Sequence, residues 1–369
     1  MRVVFDVTTC AKPRRGGIST YGTQLIHACR RVAPDNEYVF AVRSHRWLKR
    51  HLLDELLAGA RPRLLLDGLQ WMTLGRPVDA FHSIGVRLPA VGGFPRTFML
   101  HDLNVFEFPE LSTVEWAVTR QQRIRETVAR ADRVLCYSEN GAATLQHYVD
   151  TPREKIRVVP LGVDTDTFRR APDERLHEVL TRHELVDRPY LFMVGEASVR
   201  KNQEGLIDAF AAAGLPDEWV LVLGGPRGAE RDRLRERAQL HGLSDDRVRL
   251  PGWIAEDELP ALLSGAACYV CASLHEGFGL PVIEAQACGT AVLCADRGAL
   301  PETLGDSGLL FDPGEPDDFC AALRRVTSDD ALRARLATAG PARVRELFSW
   351  DRVAQQTLDV LSDAAASRS

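Results

Sequence analysis

Short apolar runs of strand type alternate with stretches of helical period along this chain, and the alternation starts afresh near its middle. In the first half the runs RVVFDV, EYVFAV, VDAFHS, RTFMLH, RVLCYS and IRVVP are separated by helical stretches such as 19–32 and 114–131. From Arg188 the pattern restarts with YLFMVG, WVLVLGG, RVRLPG, ACYVCAS and TAVLCA, interleaved with helices such as 203–213 and 230–241. A strand that returns after a helix runs parallel to its predecessor. Helices then cover both faces of the sheet, which is why such strands read as nearly continuous apolar runs. The expectation is an α/β protein of two doubly wound domains, residues 1–170 and 171–349, facing each other across a cleft. Between them LGVDTDTFRRAPDERL follows neither period and reads as the linker.

The 369 residues, 45% of them apolar, can bury a core in each domain. The N-terminal MRVVFDVTTC enters a strand directly, without the basic and apolar regions of a secretory leader, and no apolar run approaches the ~18 residues that span a bilayer. A cytoplasmic protein with no nucleic-acid partner is expected. Cys10, Cys29, Cys136, Cys268, Cys271, Cys288, Cys294 and Cys320 lie mostly in apolar runs, as suits small buried thiols in a reducing compartment. Cys268 and Cys271 form a CxxC, but without a second pair to complete a zinc set. AACYVCAS has the pattern of a core strand, so packing is the preferred reading for both.

Charge divides unevenly. Residues 1–170 hold 25 Lys and Arg against 18 Asp and Glu, net +7, whereas residues 171–369 hold 21 against 33, net −12. The first half is therefore the one suited to an anionic partner. Within it, SHRWLKRHLLDELL (44–57) sets Trp47, Leu48, Leu52 and Leu53 among Arg46, Lys49, Arg50 and His51. Two readings stand: a surface helix with its apolar side on the sheet, or a basic amphipathic helix in peripheral contact with an anionic membrane, at its inner face.

Open α/β sheets bind ligands beyond the carboxyl ends of their strands, so the polar residues there are the candidates. After the first strand, TTCAKPRRGGISTYG brings Gly16 and Gly17 to the start of a helix, where backbone can approach an anion closely; a plain turn explains the same residues. The loop is not GxGxxG, so it carries no dinucleotide fingerprint. After YLFMVG, the segment EASVRKNQEGLIDAF sets Arg200, Lys201 and Asn202 at a helix entrance, where two cations can neutralise a diphosphate without a metal. After ACYVCAS comes HEGFGLPVIEA, in which Pro281 suits the first turn of a helix and Gly277 to Gly279 form the turn before it. Glu284 then falls about one turn into the helix, where a carboxylate can accept from the two hydroxyls of a ribose. Glu276 precedes the turn, near a sugar attached to the phosphates. Taken singly, each glutamate is also explained by helix-terminus electrostatics or surface polarity.

The two glutamates of EGFGLPVIE, separated by seven residues, stand with GGI after the first strand, HD at His101 and Asp102, VVPLGVDTDTF, VGEASVRKN, LPGWIAEDEL and the closing FSWDRVA. In order, and along nearly the whole chain, these resemble the family four retaining glycosyltransferases of the GT-B architecture, with their E-x7-E motif. The resemblance implies two Rossmann-like domains facing across a cleft. The first, with the C-terminal helix 350–369 crossing back to it, would take the acceptor, and the second the donor. It implies retaining transfer of a hexosyl group from a nucleotide diphosphate sugar to a hydroxyl of a glycan, lipid-linked or small-molecule acceptor, with no cofactor and no required metal. GDP-mannose is favoured over UDP-glucose as donor. By position, Arg200 and Lys201 would hold the diphosphate, Glu284 the ribose, and Glu276 with the amides of Gly277, Phe278, Gly279 and Leu280 the donor sugar and phosphate. Gly17 would approach the phosphate from the first domain, His101 would face the donor sugar, and the base would rest near Trp253 and Ile254 through backbone contacts.

Asp164-Thr165-Asp166 has the form of a metal-binding DxD, but it follows PLGV in the linker rather than a donor strand end, which speaks against a metal there. Lys12, Arg14 and Arg15 make the first glycine loop more basic than the resemblance requires, through an anionic acceptor or simple solvation. The alternative activity, a nucleotide-sugar epimerase of the same two-domain fold, does not call for the E-x7-E and Arg-Lys combination.

Overall fold

The computed structural model of the chain describes residues 1–13, 16–75, 77–90 and 93–367, less the side chains of Gln70, Trp71 and Leu111. Arg14 and Arg15 of the basic loop lie outside the described residues. The chain divides into two compact units, unit 1 comprising Met1–Gly162 with Trp350–Ser369, and unit 2 comprising Val163–Ser349. The first division thus falls ahead of the 170/171 boundary drawn from sequence.

Unit 1 is built on β1 (Arg2–Asp6), β2 (Glu37–Arg43), β3 (Arg63–Leu65), β4 (Ala80–Ser83), β5 (Arg96–Leu100), β6 (Arg133–Cys136) and β7 (Ile156–Val158), in the order β3-β2-β1-β4-β5-β6-β7. Every pairing is parallel, Val4 lying in register with Val39 on one side and Phe81 on the other. Unit 2 has β8 (Tyr190–Val194), β9 (Val220–Gly224), β10 (Val248–Gly252), β11 (Cys268–Cys271), β12 (Val292–Ala295) and β13 (Leu309–Phe311), in the order β10-β9-β8-β11-β12-β13. The central strands bury both faces, Val3, Val4 and Phe5 in unit 1 and Leu191, Phe192, Val220 and Leu221 in unit 2, as their unbroken apolar runs require. The sequence reading passes over β3 and β13. Each is three residues long and lies at a sheet edge.

All eight cysteines are free and buried. Cys268 and Cys271 stand three apart on β11 and so point to opposite faces, which rules out pairing between them, while Cys271 lies in register with Cys294 of β12.

The final helix, Trp350–Ala366, packs on the helix Gly17–Val32 of unit 1. A Cβ at Gly162 would lie 2.6 Å from the Trp350 ring, so glycine is what lets the indole seat against the backbone. Arg133 and Arg157 both reach Asp363, at 2.9 and 3.1 Å, fastening the far end of the helix.

Two local expectations are corrected. The stretch 44–57 is not one amphipathic α-helix but a 3-10 helix over Ser44–Leu53 followed by a short α-helix, Asp54–Leu57. With three residues per turn, Arg50 eclipses Trp47, and its guanidinium stacks 4.7 Å from the ring centroid. Leu53, Leu56 and Leu57 are buried and Leu48 is 83% exposed. The stretch read as a linker is also structured. Asp164 accepts from the N–H of Asp166 (3.1 Å) and the hydroxyl of Thr167 (2.8 Å), and the helix Asp173–Arg182 begins within the stretch. Among the described residues no helix is long and apolar enough to cross a membrane.

Candidate functional site

A doubly wound sheet opens a crevice where its strand order reverses. In unit 2 this point lies between β8 and β11. β8 leads to Arg200 and Lys201, and β11 leads to Glu276. Beyond β8, Ser198 caps a 3-10 turn, Val199–Lys201, by accepting from the Lys201 N–H at 3.3 Å, and Asn202 in the left-handed region (φ 54°) turns the chain into the helix Gln203–Ala213. The Leu274 N–H donates to the Arg200 carbonyl at 2.8 Å, tying the two strand-end loops together.

The three charged side chains then meet. Lys201 Nζ lies 2.6 Å from Glu276 Oε1, Arg200 Nη1 lies 2.9 Å from Glu276 Oε2, and Arg200 Nη1 also donates to the His275 carbonyl at 2.7 Å. Ser273 adds a hydroxyl donated to Oε1 at 2.9 Å. Burial works to raise the Glu276 carboxyl, but attraction to Lys201, then to Arg200, and the hydrogen bonds from Lys201 and Ser273 leave it below the ordinary carboxylate range.

Glu284 is treated in the opposite way. It lies on the helix Leu280–Ala287, 9% exposed, and among the described residues no hydrogen bond or ion pair reaches its carboxylate. Burial pushes it up to about 7, against the pull of Lys201. A buried carboxylate left without donors is costly, and such groups mark places where a ligand supplies them. The helix starts at Leu280 with Pro281 in its first turn, as expected, and Gly279 before it takes the left-handed N-cap conformation (φ 96°) open to glycine. Phe278 is buried edge-on against Phe348, 5.7 Å between centroids, so only its backbone is available to a ligand.

Trp253 and Ile254 follow β10 and diverge. Ile254 is buried, its side chain filling the space where a Cβ at Gly224 would stand 2.7 Å away. Trp253 is 60% exposed, with the Arg227 guanidinium 4.8 Å over its ring.

In unit 1 the strand order reverses between β1 and β4. β1 leads to the helix beginning at Gly17, β4 to Ile84, and the neighbouring β5 to His101. A Cβ at Gly17 would meet nothing within 4 Å, so the fold itself does not demand glycine there. His101 Nε2 lies 2.5 Å from the Ile84 carbonyl and Nδ1 2.5 Å from the Tyr137 hydroxyl. A carbonyl cannot donate, so Nε2 carries the proton and Nδ1 accepts from the phenol. Burial lowers the imidazole pKa to about 4, keeping it neutral. Tyr21 packs edge-on to both rings, at 5.4 and 5.8 Å.

Arg200, Lys201, Glu276, Gly277, Phe278, Gly279, Leu280, Glu284, Trp253 and Ile254 thus lie in unit 2, with Arg200, Lys201 and Glu276 in direct contact, while Gly17 and His101 belong to unit 1. Sequence reasoning missed Ser273, Ser198, Tyr137 and Tyr21. The signal for Ser273 and Tyr137 was available, since both directly follow strands, β11 by two residues and β6 by one. Among the described residues no three His, Cys, Asp or Glu side chains group to hold a metal ion.

Two family profiles cover most of the chain, one described as Glycosyltransferase Family 4 over residues 15–167 and one as Glycosyl transferases group 1 over residues 180–343. The chain is 31% identical over 263 residues to O-antigen chain mannosyltransferase B of Escherichia coli, covering 70% of this chain and 68% of that protein. It is 34% identical over 291 residues to D-inositol 3-phosphate glycosyltransferase of Salinispora tropica, covering 74% of this chain and 60% of that longer protein. In fold it is similar to sucrose-phosphate synthase from Thermosynechococcus elongatus, with a TM-score of 0.76 at 23% identity and both chains covered in full. With these matches spanning both units, the chain belongs to glycosyltransferase family 4, and its two parallel α/β units are those of the GT-B fold.

Proposed function

We propose that this protein is a retaining, metal-independent hexosyltransferase that moves a sugar from a nucleotide diphosphate donor to a hydroxyl of a glycan, lipid-linked or small-molecule acceptor. The observation that carries the reading is the Arg200–Glu276–Lys201 cluster beside the unpartnered carboxylate of Glu284, all at the β8/β11 reversal of unit 2. Two cations on one turn match a diphosphate, and a buried carboxylate without donors matches a ribose diol. In the reaction the acceptor oxygen bonds to the anomeric carbon as the bond from that carbon to the phosphate oxygen breaks. The acceptor proton passes to the departing phosphate, whose charge Arg200 and Lys201 stabilise. Glu276 serves the donor sugar hydroxyls, and the backbone at Trp253 and Ile254 the base. In unit 1 the reading gives Gly17 and a neutral His101 to the same reaction.

Mannose is favoured as the transferred sugar because the E. coli relative is named as a mannosyltransferase. For the acceptor, one relative is named for an O-antigen chain and the other for inositol 3-phosphate, so a glycan and a phosphorylated polyol are the first to try. Purified protein is incubated with GDP-mannose or UDP-glucose and each acceptor, with and without EDTA. The products are read by mass spectrometry and the anomeric configuration by NMR. Equal yields of nucleoside diphosphate and glycosylated product, with the donor's configuration and in the presence of chelator, are expected. Loss of activity with EDTA, restored by manganese or magnesium, would return attention to Asp164 and Asp166, and inversion would overturn the retaining assignment.

A further inference from the structure

The two cations assigned to the donor diphosphate are already paired. Each carboxylate oxygen of Glu276 takes one of them, Oε1 the Lys201 ammonium at 2.6 Å and Oε2 the Arg200 guanidinium at 2.9 Å, and the Ser273 hydroxyl steadies Oε1. The side chains involved are 14%, 22% and 12% exposed, so the pairing is shielded from water and little weakened by salt. Glu284 is a second carboxylate close enough to feel Lys201, and among the described residues it makes no ion pair. With Glu276 in place the cluster carries one net positive charge; with Glu276 withdrawn it carries two. A diphosphate, with at least two negative charges, needs the second state.

Resting on the function proposed above, we propose that Glu276 is an internal competitor of the nucleotide diphosphate, holding Arg200 and Lys201 in the empty site and leaving them when the donor arrives. The carboxylate released from the cations needs new hydrogen-bond donors, because an unpaired buried charge is costly. A nucleotide sugar supplies them from its sugar hydroxyls. A free nucleoside diphosphate does not, so it must displace Glu276 with nothing in return. Glu276 therefore sets the site to hold the loaded donor and expel the spent nucleotide, returning to the cations as the product leaves. This differs from a carboxylate that only contacts the sugar, whose removal would leave the affinity for the bare nucleotide unchanged.

Calorimetric titration of the whole protein with GDP and UDP, and with the corresponding nucleotide sugars, tests the idea. Glu276→Gln keeps the side-chain shape and removes its charge. Whichever nucleoside diphosphate the wild type binds should bind at least about tenfold more tightly to Glu276→Gln, equivalent to ~1.4 kcal/mol, while the nucleotide sugar gains nothing. Ser273→Ala, which removes one hydrogen bond to the competitor and leaves the charges in place, should tighten the nucleoside diphosphate by a smaller factor and serves as the check should Glu276→Gln fail to fold. Unchanged or weakened nucleoside diphosphate affinity in the folded variants overturns the competitor role while leaving the donor site intact. Absence of any nucleotide binding in wild type and variants alike would instead remove the proposed function and this inference with it.

Discussion

The phenol oxygen of Tyr137 lies 2.5 Å from Nδ1 of His101, at the ends of neighbouring strands β6 and β5. With Nε2–H donated to Ile84, the phenol holds the imidazole in one neutral tautomer. Tyr137→Phe leaves Nδ1 without its donor, which costs ~1–3 kcal/mol at a buried site. Turnover should fall about tenfold or more, while nucleotide affinity, which the proposed function assigns mainly to unit 2, stays at the wild-type value. Steady-state kinetics with calorimetry separates the two, and wild-type turnover would exclude the phenol as a positioning group.

The same histidine makes acid stability measurable. Its folded pKa of about 4 lies below the ordinary value near 6.5, so the unfolded chain takes up the proton first. The stabilisation is complete above about pH 6.5 and is lost as the pH falls towards 4. Replacing His101 with Phe should flatten the decline in melting temperature over that window; an unaltered slope would mean the ring is protonated in place.

Arg200→Ala and Lys201→Ala each leave a diphosphate with half its counter-charge. Removing one donor from such a site typically lowers turnover by ~10² to 10³-fold. Near-normal rates in both single variants would refute the assignment of these cations to the donor.

Glu284 combines two opposing pH effects. Its folded pKa, about 7 against 4.5, makes the empty protein favour the protonated carboxyl. The resulting stabilisation is full below 4.5 and lost as pH rises through 7, on the order of 3 kcal/mol at most. Glu284→Gln should therefore raise the melting temperature of the empty protein more at pH 8 than at pH 5. In the proposed function the ionised form accepts from the ribose, so wild-type nucleotide affinity should rise from pH 6 to 8, and this dependence should be lost in Glu284→Gln. A rise retained in the variant would place the titrating group elsewhere.

Peripheral contact with an anionic membrane through the exposed Leu48, Lys49 and Arg50 of the 3-10 stretch is proposed as the alternative to a plain surface segment. Vesicles containing anionic lipid should sediment with the protein at low salt and neutral vesicles should not, with binding weakened by salt and by changing Arg46, Lys49 and Arg50 to Glu. No sedimentation at low salt removes the membrane from the proposal.

Much of this protein could be read from its residues in order. The interior strands are continuous apolar runs because both faces of a parallel sheet are buried, so among the described residues eleven of the thirteen strands announce themselves, β3 and β13 at the sheet edges being the exceptions. Arg200, Lys201 and Glu276 stand out because they follow strand ends, where open α/β sheets bind ligands, and Glu284 by its spacing from Glu276. The state of those groups was not legible. That Glu276 bridges both cations while Glu284 has no partner among the described residues depends on β8 and β11 being neighbours although far apart in the chain, which sequence spacing does not encode. The tautomer of His101 likewise arises from Ile84 and Tyr137, each delivered by a different strand. Local pattern determined the elements and nominated the residues. Burial and long-range pairing, which act only once the sheets have assembled, decided which carboxylate is held ionised, which is pushed up to about 7, and which side chains meet.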